Sequence, residues 1–142
     1  MLKIMFLCTG NSCRSQMAEG IANYLGNGIL KATSAGLNPA GFVHPLAIKV
    51  MEEIGIDISN YKSKQIDLNL LNETDIIITL CGDAYETCPI TPQHIKKIHW
   101  GLPDPAKATG TEDEILNFFR KVRDDLKVRI ENLIKEYKEG RI

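Results

Sequence analysis

Apolar residues fill positions 2 and 4–7 with Lys3 as the lone polar interruption. A short, nearly continuous apolar run of this kind predicts a parallel strand buried on both faces. After residue 15 the period changes: Ala18, Ile21, Ala22 and Leu25 recur at helical spacing, and Gly26-Asn27-Gly28 ends that helix. Residues 29–34 predict a second strand, closed by Ala35-Gly36. Pro45 opens a second helix, with Ile48, Met51 and Ile54 inward and Gly55 at its end. Ile66, Leu68, Leu70 and Leu71 predict a short irregular helical segment. Residues 76–80 give the clearest strand, rich in β-branched side chains, and residues 95–100 a shorter one. Thr111 with Glu114 forms a capping box for the last helix. Ile115, Phe118, Phe119, Val122, Leu126, Ile130 and Leu133 supply its apolar face, and its Lys and Arg residues a solvated one. Strands alternating with helices predict an α/β fold, a three-layer sandwich around a four-stranded parallel sheet, as one domain over residues 1–142.

Composition narrows the function. The chain has 142 residues, 44% hydrophobic and 25% charged, with a formal net charge of −1. That balance argues against a general nucleic-acid or membrane-surface role, so any positive field must be local. No apolar run is long enough to span a bilayer, and the N-terminal residues read as a strand rather than a signal peptide, which predicts a cytoplasmic protein. Cysteines stand at 8, 13, 81 and 88. None of them has the tight spacing of a zinc pair, so no metal is expected, and cytoplasmic cysteines point to catalysis more than to structural disulfides.

The first strand runs into Cys8-Thr9-Gly10-Asn11-Ser12-Cys13-Arg14-Ser15 and then a helix. A loop between a strand end and a helix N-terminus gathers backbone N–H groups on one spot, where the helix dipole favours negative charge. The predicted oxyanion cradle is Thr9, Gly10, Asn11, Ser12, Cys13, Arg14 and Ser15. Arg14 adds a planar fork of donors suited to a tetrahedral oxyanion. Cys8 lies in the same field, which stabilises its thiolate, and Ser15 is placed to hydrogen-bond the sulfur. The plainer reading, a glycine-containing turn with a buried cysteine, is weakened by this position in the fold.

Two further stretches follow strands on the same edge of the sheet. Cys81 and Cys88 flank Gly82-Asp83-Ala84-Tyr85-Glu86-Thr87. Were these residues helical, the two Cα atoms would lie roughly 10 Å apart, beyond disulfide reach without unwinding. A transient redox pair and two unrelated cysteines both stay open on spacing alone. In Leu102-Pro103-Asp104-Pro105 the prolines hold Asp104 extended, as a proton donor to a leaving oxygen or simply as a turn residue. His44, His94 and His99 are scattered and read as structural or exposed, and Trp100-Gly101 as packing near the site or, more simply, as core.

Assembled, these segments resemble the thioredoxin-coupled arsenate reductases, which share the low-molecular-weight protein tyrosine phosphatase fold. The resemblance rests on Cys-Thr-Gly-Asn-Ser-Cys-Arg-Ser-Gln-Met-Ala-Glu-Gly at 8–20, on Ser34-Ala35-Gly36 and on Asp57-Ile58-Ser59. Thr79-Leu80-Cys81, Cys88-Pro89-Ile90, His99-Trp100-Gly101 and Asp104-Pro105 complete it. The anion loop alone marks the larger superfamily, and the Cys81/Cys88 pair marks the reductase branch. The resemblance implies arsenate as substrate, phosphate or sulfate as mimics, thioredoxin as reductant, a monomer and no tightly bound cofactor. It implies catalytic roles for Cys8, Arg14, Asp104, Cys81 and Cys88, with Cys8–Cys81 and then Cys81–Cys88 disulfides. It also implies that segment 81–93 is mobile and moves outward on oxidation. Cys13 matches no redox cysteine of the family and reads as packing. Some relatives bind potassium through residues matching Asn11, Glu19 and Ser34, together with an aspartate where this chain has Lys64. An ammonium cannot ligate a cation and is placed instead to pair with Glu19, so independence of potassium is expected. A phosphatase acting on phosphotyrosine is the alternative enzyme, although Ala106 and Lys107 stand where that family presents aromatic residues. A non-catalytic thiol module for arsenite or zinc is the alternative of another class.

Overall fold

The computed structural model describes residues 1–80 and 94–142. Every expectation about Cys81, Cys88 and the movement of segment 81–93 lies outside the described residues.

The chain runs β1 (Leu2–Cys8), α1 (Arg14–Leu25), β2 (Leu30–Gly36), α2 (Pro45–Glu52), α3 (Leu68–Asn72), β3 (Ile76–Thr79), β4 (Lys96–His99) and α4 (Glu112–Lys138), elements being numbered over the described residues. Among these residues the sheet has four strands, all parallel, in the order β2-β1-β3-β4. This is the predicted α/β architecture. β1 is central and alternates between two cores, as the two-residue period of a strand requires. Ile4, Phe6 and Cys8 face a core shared with Met17 and Ile21 of α1, Met51 of α2, and Phe119 and Leu126 of α4. Met5 and Leu7 face a smaller core with Leu71 of α3, Ile77 and Ile95. Three helices therefore cover one face and α3 lies against the other, with Cys8 at the carboxyl edge on the three-helix side.

Close packing sets where those helices sit. A methyl group at Gly20 would come 2.8 Å from Ile58 Cγ2 and 3.1 Å from Met51 Cε, so α1 lies close against these side chains with no room for a Cβ beside Ile58. α4 begins at the predicted capping box: Thr111 Oγ1 accepts from Glu114 N at 3.2 Å, and Glu114 Oε1 accepts from Thr111 N at 3.4 Å.

Three details differ from the sequence reading. β2 continues through Ala35 to Gly36, because Gly36 pairs with Cys8 and its N–H donates to the Lys64 carbonyl at 2.8 Å. α2 buries Ala47, Val50 and Met51, while Ile48 and Ile54 are only partly covered. Val50 and Met51 fill the side turned to the core, and Ile48 and Ile54 pack against its margin. Finally, the basic side of α4 is not uniformly solvated. Arg123 is buried, donating through Nη1 to the Val50 carbonyl and to Glu53 Oε1, both at 2.8 Å.

Glu53 also accepts from Arg120 Nη2 at 2.7 Å. Hydrogen bonds from Arg120, then Arg123, hold its carboxyl at a pKa of about 2. A depressed folded-state pKa adds stability that is full above the unfolded value and fades as pH falls toward 2. For a pair this open to solvent the gain is about 1 kcal/mol. We expect Glu53→Gln to lower urea stability by about that amount at pH 7 and by progressively less below pH 4.5, with only about a quarter of the effect left near pH 2.5. A difference that stays constant across that range would contradict the linkage.

Candidate active site

The loop between β1 and α1 is shaped by where its carbonyls go. Cys8 O accepts from Leu37 N at 3.2 Å and Thr9 O from Asn38 N at 2.9 Å. Gly10 O accepts from Ala40 N at 2.9 Å and from Ser63 Oγ at 3.0 Å. Asn11 O accepts from Gln16 Nε2, Ser12 O from His44 N and Cys13 O from Met17 N, each at 3.0 Å. Six successive carbonyls are thus engaged by groups outside the loop. The peptide planes are fixed with their oxygens outward, which turns the N–H groups toward the interior of the turn and builds an anion nest.

Asn11 makes the turn possible. Its φ of 48° is left-handed, a conformation asparagine tolerates better than most residues. Its side chain is wholly buried and hydrogen-bonded at both ends: Nδ2 donates to Ser15 Oγ at 2.8 Å, and Oδ1 accepts from Gln16 Nε2 at 3.0 Å and Lys64 N at 2.9 Å. Gly36 packs directly beneath. A Cβ there would sit 2.7 Å from Thr9 O and 3.1 Å from Asn11 N.

Cys8 Sγ is the focus of this arrangement. Asn11 N donates to it at 3.2 Å, and Ser15 Oγ lies 2.9 Å away. Because Ser15 Oγ already accepts from Asn11, its proton is free to point at the sulfur. Two donors thus converge on one sulfur at the head of a helix, the arrangement expected of a nucleophile. Cys13, five residues on, is buried, which pushes its thiol up to about 12 and keeps it protonated. That fits the packing role expected for it.

Arg14 is 8% exposed and clips two strand ends together, its Nη1 donating to Leu102 O at 2.8 Å and Leu80 O at 3.4 Å. Its Nη2 lies 3.7 Å from Asp104 Oδ2. Asp104 is anchored through its other oxygen, which accepts from Ala106 N at 3.0 Å in the short 3-10 turn Pro105–Lys107. A cavity of about 220 Å³ is lined by Cys8, Gly10, Ser12, Cys13, Arg14 and Asp104, with Ala40, Phe42, His44 and Ala106 across from them. The structure therefore unites Cys8, Arg14 and Asp104 as expected. Of the predicted cradle, Gly10, Ser12, Cys13 and Arg14 face the cavity, whereas Asn11 and Ser15 stand behind Cys8 and hold its sulfur. Thr9 contributes the carbonyl that fixes Asn38. Phe42 is not part of the sequence reading, and His44, read there as structural or exposed, lines the cavity instead. Their signal is faint, since histidine before Pro45 is a rare way to cap a helix.

Lys64 occupies the place expected of it. Its Nζ is 3.5 Å from Glu19 Oε1 and 3.5 Å from Ser34 Oγ, and Ser34 Oγ donates to Glu19 Oε1 at 2.8 Å. The ammonium stands within the same cluster that its backbone buttresses through Asn11 and Gly36. Among the described residues no group of His, Cys, Asp and Glu side chains is arranged to hold a metal ion.

Comparison with known proteins agrees with this geometry. Residues 3–141 match the family model for low molecular weight phosphotyrosine protein phosphatases. The chain is similar to the arsenate reductase of Bacillus subtilis, 55% identical over 137 residues that span 96% of this chain and 94% of that one. Among solved structures, an arsenate reductase in the phosphate binding state is 43% identical with a TM-score of 0.76, covering 96% of this chain and 98% of its own. The thioredoxin-dependent arsenate reductase of Corynebacterium glutamicum is 25% identical with a TM-score of 0.79, covering 99% of this chain and 63% of that one. A shared fold, a matched anion loop and identity above half over nearly the whole length lead to one assignment. The chain belongs to the low molecular weight phosphotyrosine protein phosphatase family and, within it, to the arsenate reductases.

Proposed function

We propose that the protein reduces arsenate to arsenite with electrons from thioredoxin. The observation that carries this reading is the Cys8 sulfur, held by Asn11 N–H and Ser15 at the floor of an anion nest beside Arg14. The Cys8 thiolate attacks arsenic, an oxygen of arsenate leaves, and Asp104 protonates it so that water departs. Arg14 and the loop N–H groups carry the charge on the remaining oxygens. The thiol–arsenic(V) adduct must then gain two electrons, which hydrolysis cannot provide. Cys81 attacks Cys8 Sγ, the sulfur–arsenic bonding pair stays on arsenic, and arsenite leaves with a Cys8–Cys81 disulfide behind it. Cys88 next attacks Cys81, returning Cys8 to its thiolate, and a thioredoxin dithiol reduces the Cys81–Cys88 disulfide.

Leu80, the residue before Cys81 in sequence, supports the second step because its carbonyl accepts from Arg14 inside the site. The Bacillus subtilis relative named arsenate reductase and the Corynebacterium glutamicum relative named thioredoxin-dependent support the substrate and the reductant. The relative in a phosphate binding state supports phosphate as a mimic in this cavity. Cys8, Arg14, Asp104, Cys81 and Cys88 all belong to one chain, which supports a monomer, and thioredoxin supplies the outside dithiol; we place the enzyme in the cytoplasm with no tightly bound cofactor. No helix among the described residues is long and apolar enough to cross a membrane. The direct test is release of arsenite from arsenate by the reduced protein. Hydrolysis of a phosphomonoester with no arsenite formed would favour the phosphatase reading instead.

Potassium is unnecessary on this account, because Lys64 Nζ already supplies positive charge between Glu19 and Ser34. Turnover in potassium chloride is expected to equal that in tetramethylammonium chloride at matched ionic strength. Clear activation by potassium would show that the ammonium yields its place to the ion.

A further inference from the structure

His44 enters the cavity in a way that none of these steps uses. Its backbone N–H donates to the Ser12 carbonyl of the anion loop at 3.0 Å. Its Nδ1 accepts the Leu46 N–H in the first turn of α2 at 3.1 Å. Its ring centroid lies 4.9 Å from that of Phe119 on α4. Loop, α2 and α4 thus fix one imidazole from three directions, and that imidazole lines the cavity with Cys8, Arg14 and Asp104.

A ring nitrogen that accepts a hydrogen bond carries no proton, so the His44 proton resides on Nε2. Nδ1 is taken up by the helix, so Nε2–H is the ring donor it does not engage, on a side chain that lines the cavity. The Leu46 N–H belongs to the positive end of the α2 dipole, and bonding to it polarises the ring and strengthens the distal N–H. Partial burial pulls the His44 pKa below the ordinary histidine value, against the opposing pull of the Asp104 carboxylate, so the neutral form prevails. The same physics makes a neutral histidine at a helix N-terminus an effective electrophile toward oxygen in other enzymes.

We propose that His44 is a specificity-determining residue of the oxyanion site, donating from Nε2–H to an oxygen of a tetrahedral anion held on the loop opposite Arg14. The inference rests on reading the cavity as an oxyanion site, and not on the thiol relay.

The test separates the cap from the donor. His44→Asn keeps a side-chain acceptor for the Leu46 N–H and loses the Nε2 donor. We expect an unchanged Tm, KM for arsenate raised about tenfold with a smaller change in kcat, and inhibition by inorganic phosphate weakened by the same factor. His44→Gln, whose amide reaches the Nε2 position, recovers most of the loss. On the wild-type protein, 15N-histidine spectra are assigned by replacing the three histidines singly, and inorganic phosphate is then titrated. The His44 Nε2–H resonance is expected to move with phosphate while Nδ1 keeps its acceptor character. Unchanged KM and phosphate inhibition in a stable His44→Asn protein would overturn the inference. So would a silent Nε2 at phosphate concentrations that protect Cys8 from alkylation. Phosphate that fails to protect Cys8 would remove the oxyanion reading as well. If His44→Asn does not fold, the wild-type spectra decide alone.

Discussion

Replacing Cys88 by serine is expected to leave a protein that makes about one arsenite per chain and then stops, with steady turnover reduced on the order of a thousandfold. The first three events, capture by Cys8, loss of water and attack by Cys81, need no third thiol. The fourth does, because only Cys88 returns Cys8 to its thiolate. Quenched-flow measurement of arsenite, followed by mass spectrometry under non-reducing conditions, reads both halves: one equivalent released, and Cys8 joined to Cys81. Undiminished turnover would show that Cys88 is a bystander, as a phosphatase would have it. No arsenite even in the first cycle would point to a protein that binds arsenic species without reducing them.

The second large effect comes from a residue that touches no substrate. Gly36→Ala would place a methyl group 2.7 Å from Thr9 O, 3.0 Å from Asn11 Cβ and 3.1 Å from Asn11 N. Two of these contacts are with backbone, which cannot rotate aside as a side-chain tip can. Asn11 is already held in a left-handed conformation by hydrogen bonds to Ser15, Gln16 and Lys64, so the relief must come from the loop as a whole. A shift approaching 1 Å in groups that orient a nucleophile costs about a hundredfold in rate. We expect kcat/KM for arsenate to fall about that far, with the sheet intact by circular dichroism. Activity within about twofold of wild type would mean that the anion nest is softer than its network of engaged carbonyls implies.

How much of this could be read from residues alone depends on the range of the forces involved. β1 and the Cys8–Ser15 loop are local features. A buried strand, a turn and a helix start follow one another within a few residues, which puts Cys8, Asn11 and Ser15 close together, although groups from residues 37–64 hold the loop's carbonyls in place. The capping box at Thr111 and Glu114 is local too, and it forms as read. Asp104 is legible because its prolines restrict it and because β4 ends on the same edge as β1. What escapes the sequence is set by packing between distant elements. Which α2 residues are fully covered, Ala47, Val50 and Met51 and not Ile48, depends on how α2 meets its neighbours. Arg123 looks like one more solvent-facing charge on α4 until the Val50 carbonyl and Glu53 meet it. His44 reaches the cavity only because its backbone is tied to Ser12 and its ring to Phe119. Lys64 lies between these cases: the resemblance to potassium-binding relatives draws attention to it, and the distances to Glu19 and Ser34 give its position.

The central claim is that the Cys8 site performs a two-electron reduction and not a hydrolysis. Its most direct measurement mixes the protein with arsenate, thioredoxin, thioredoxin reductase and NADPH, and compares that mixture with glutathione and glutaredoxin in place of the thioredoxin pair. The account predicts steady NADPH oxidation in the first mixture, one NADPH per arsenite formed, and little in the second. Absence of NADPH oxidation in the thioredoxin mixture, from a protein that still hydrolyses an aryl phosphate, would contradict it.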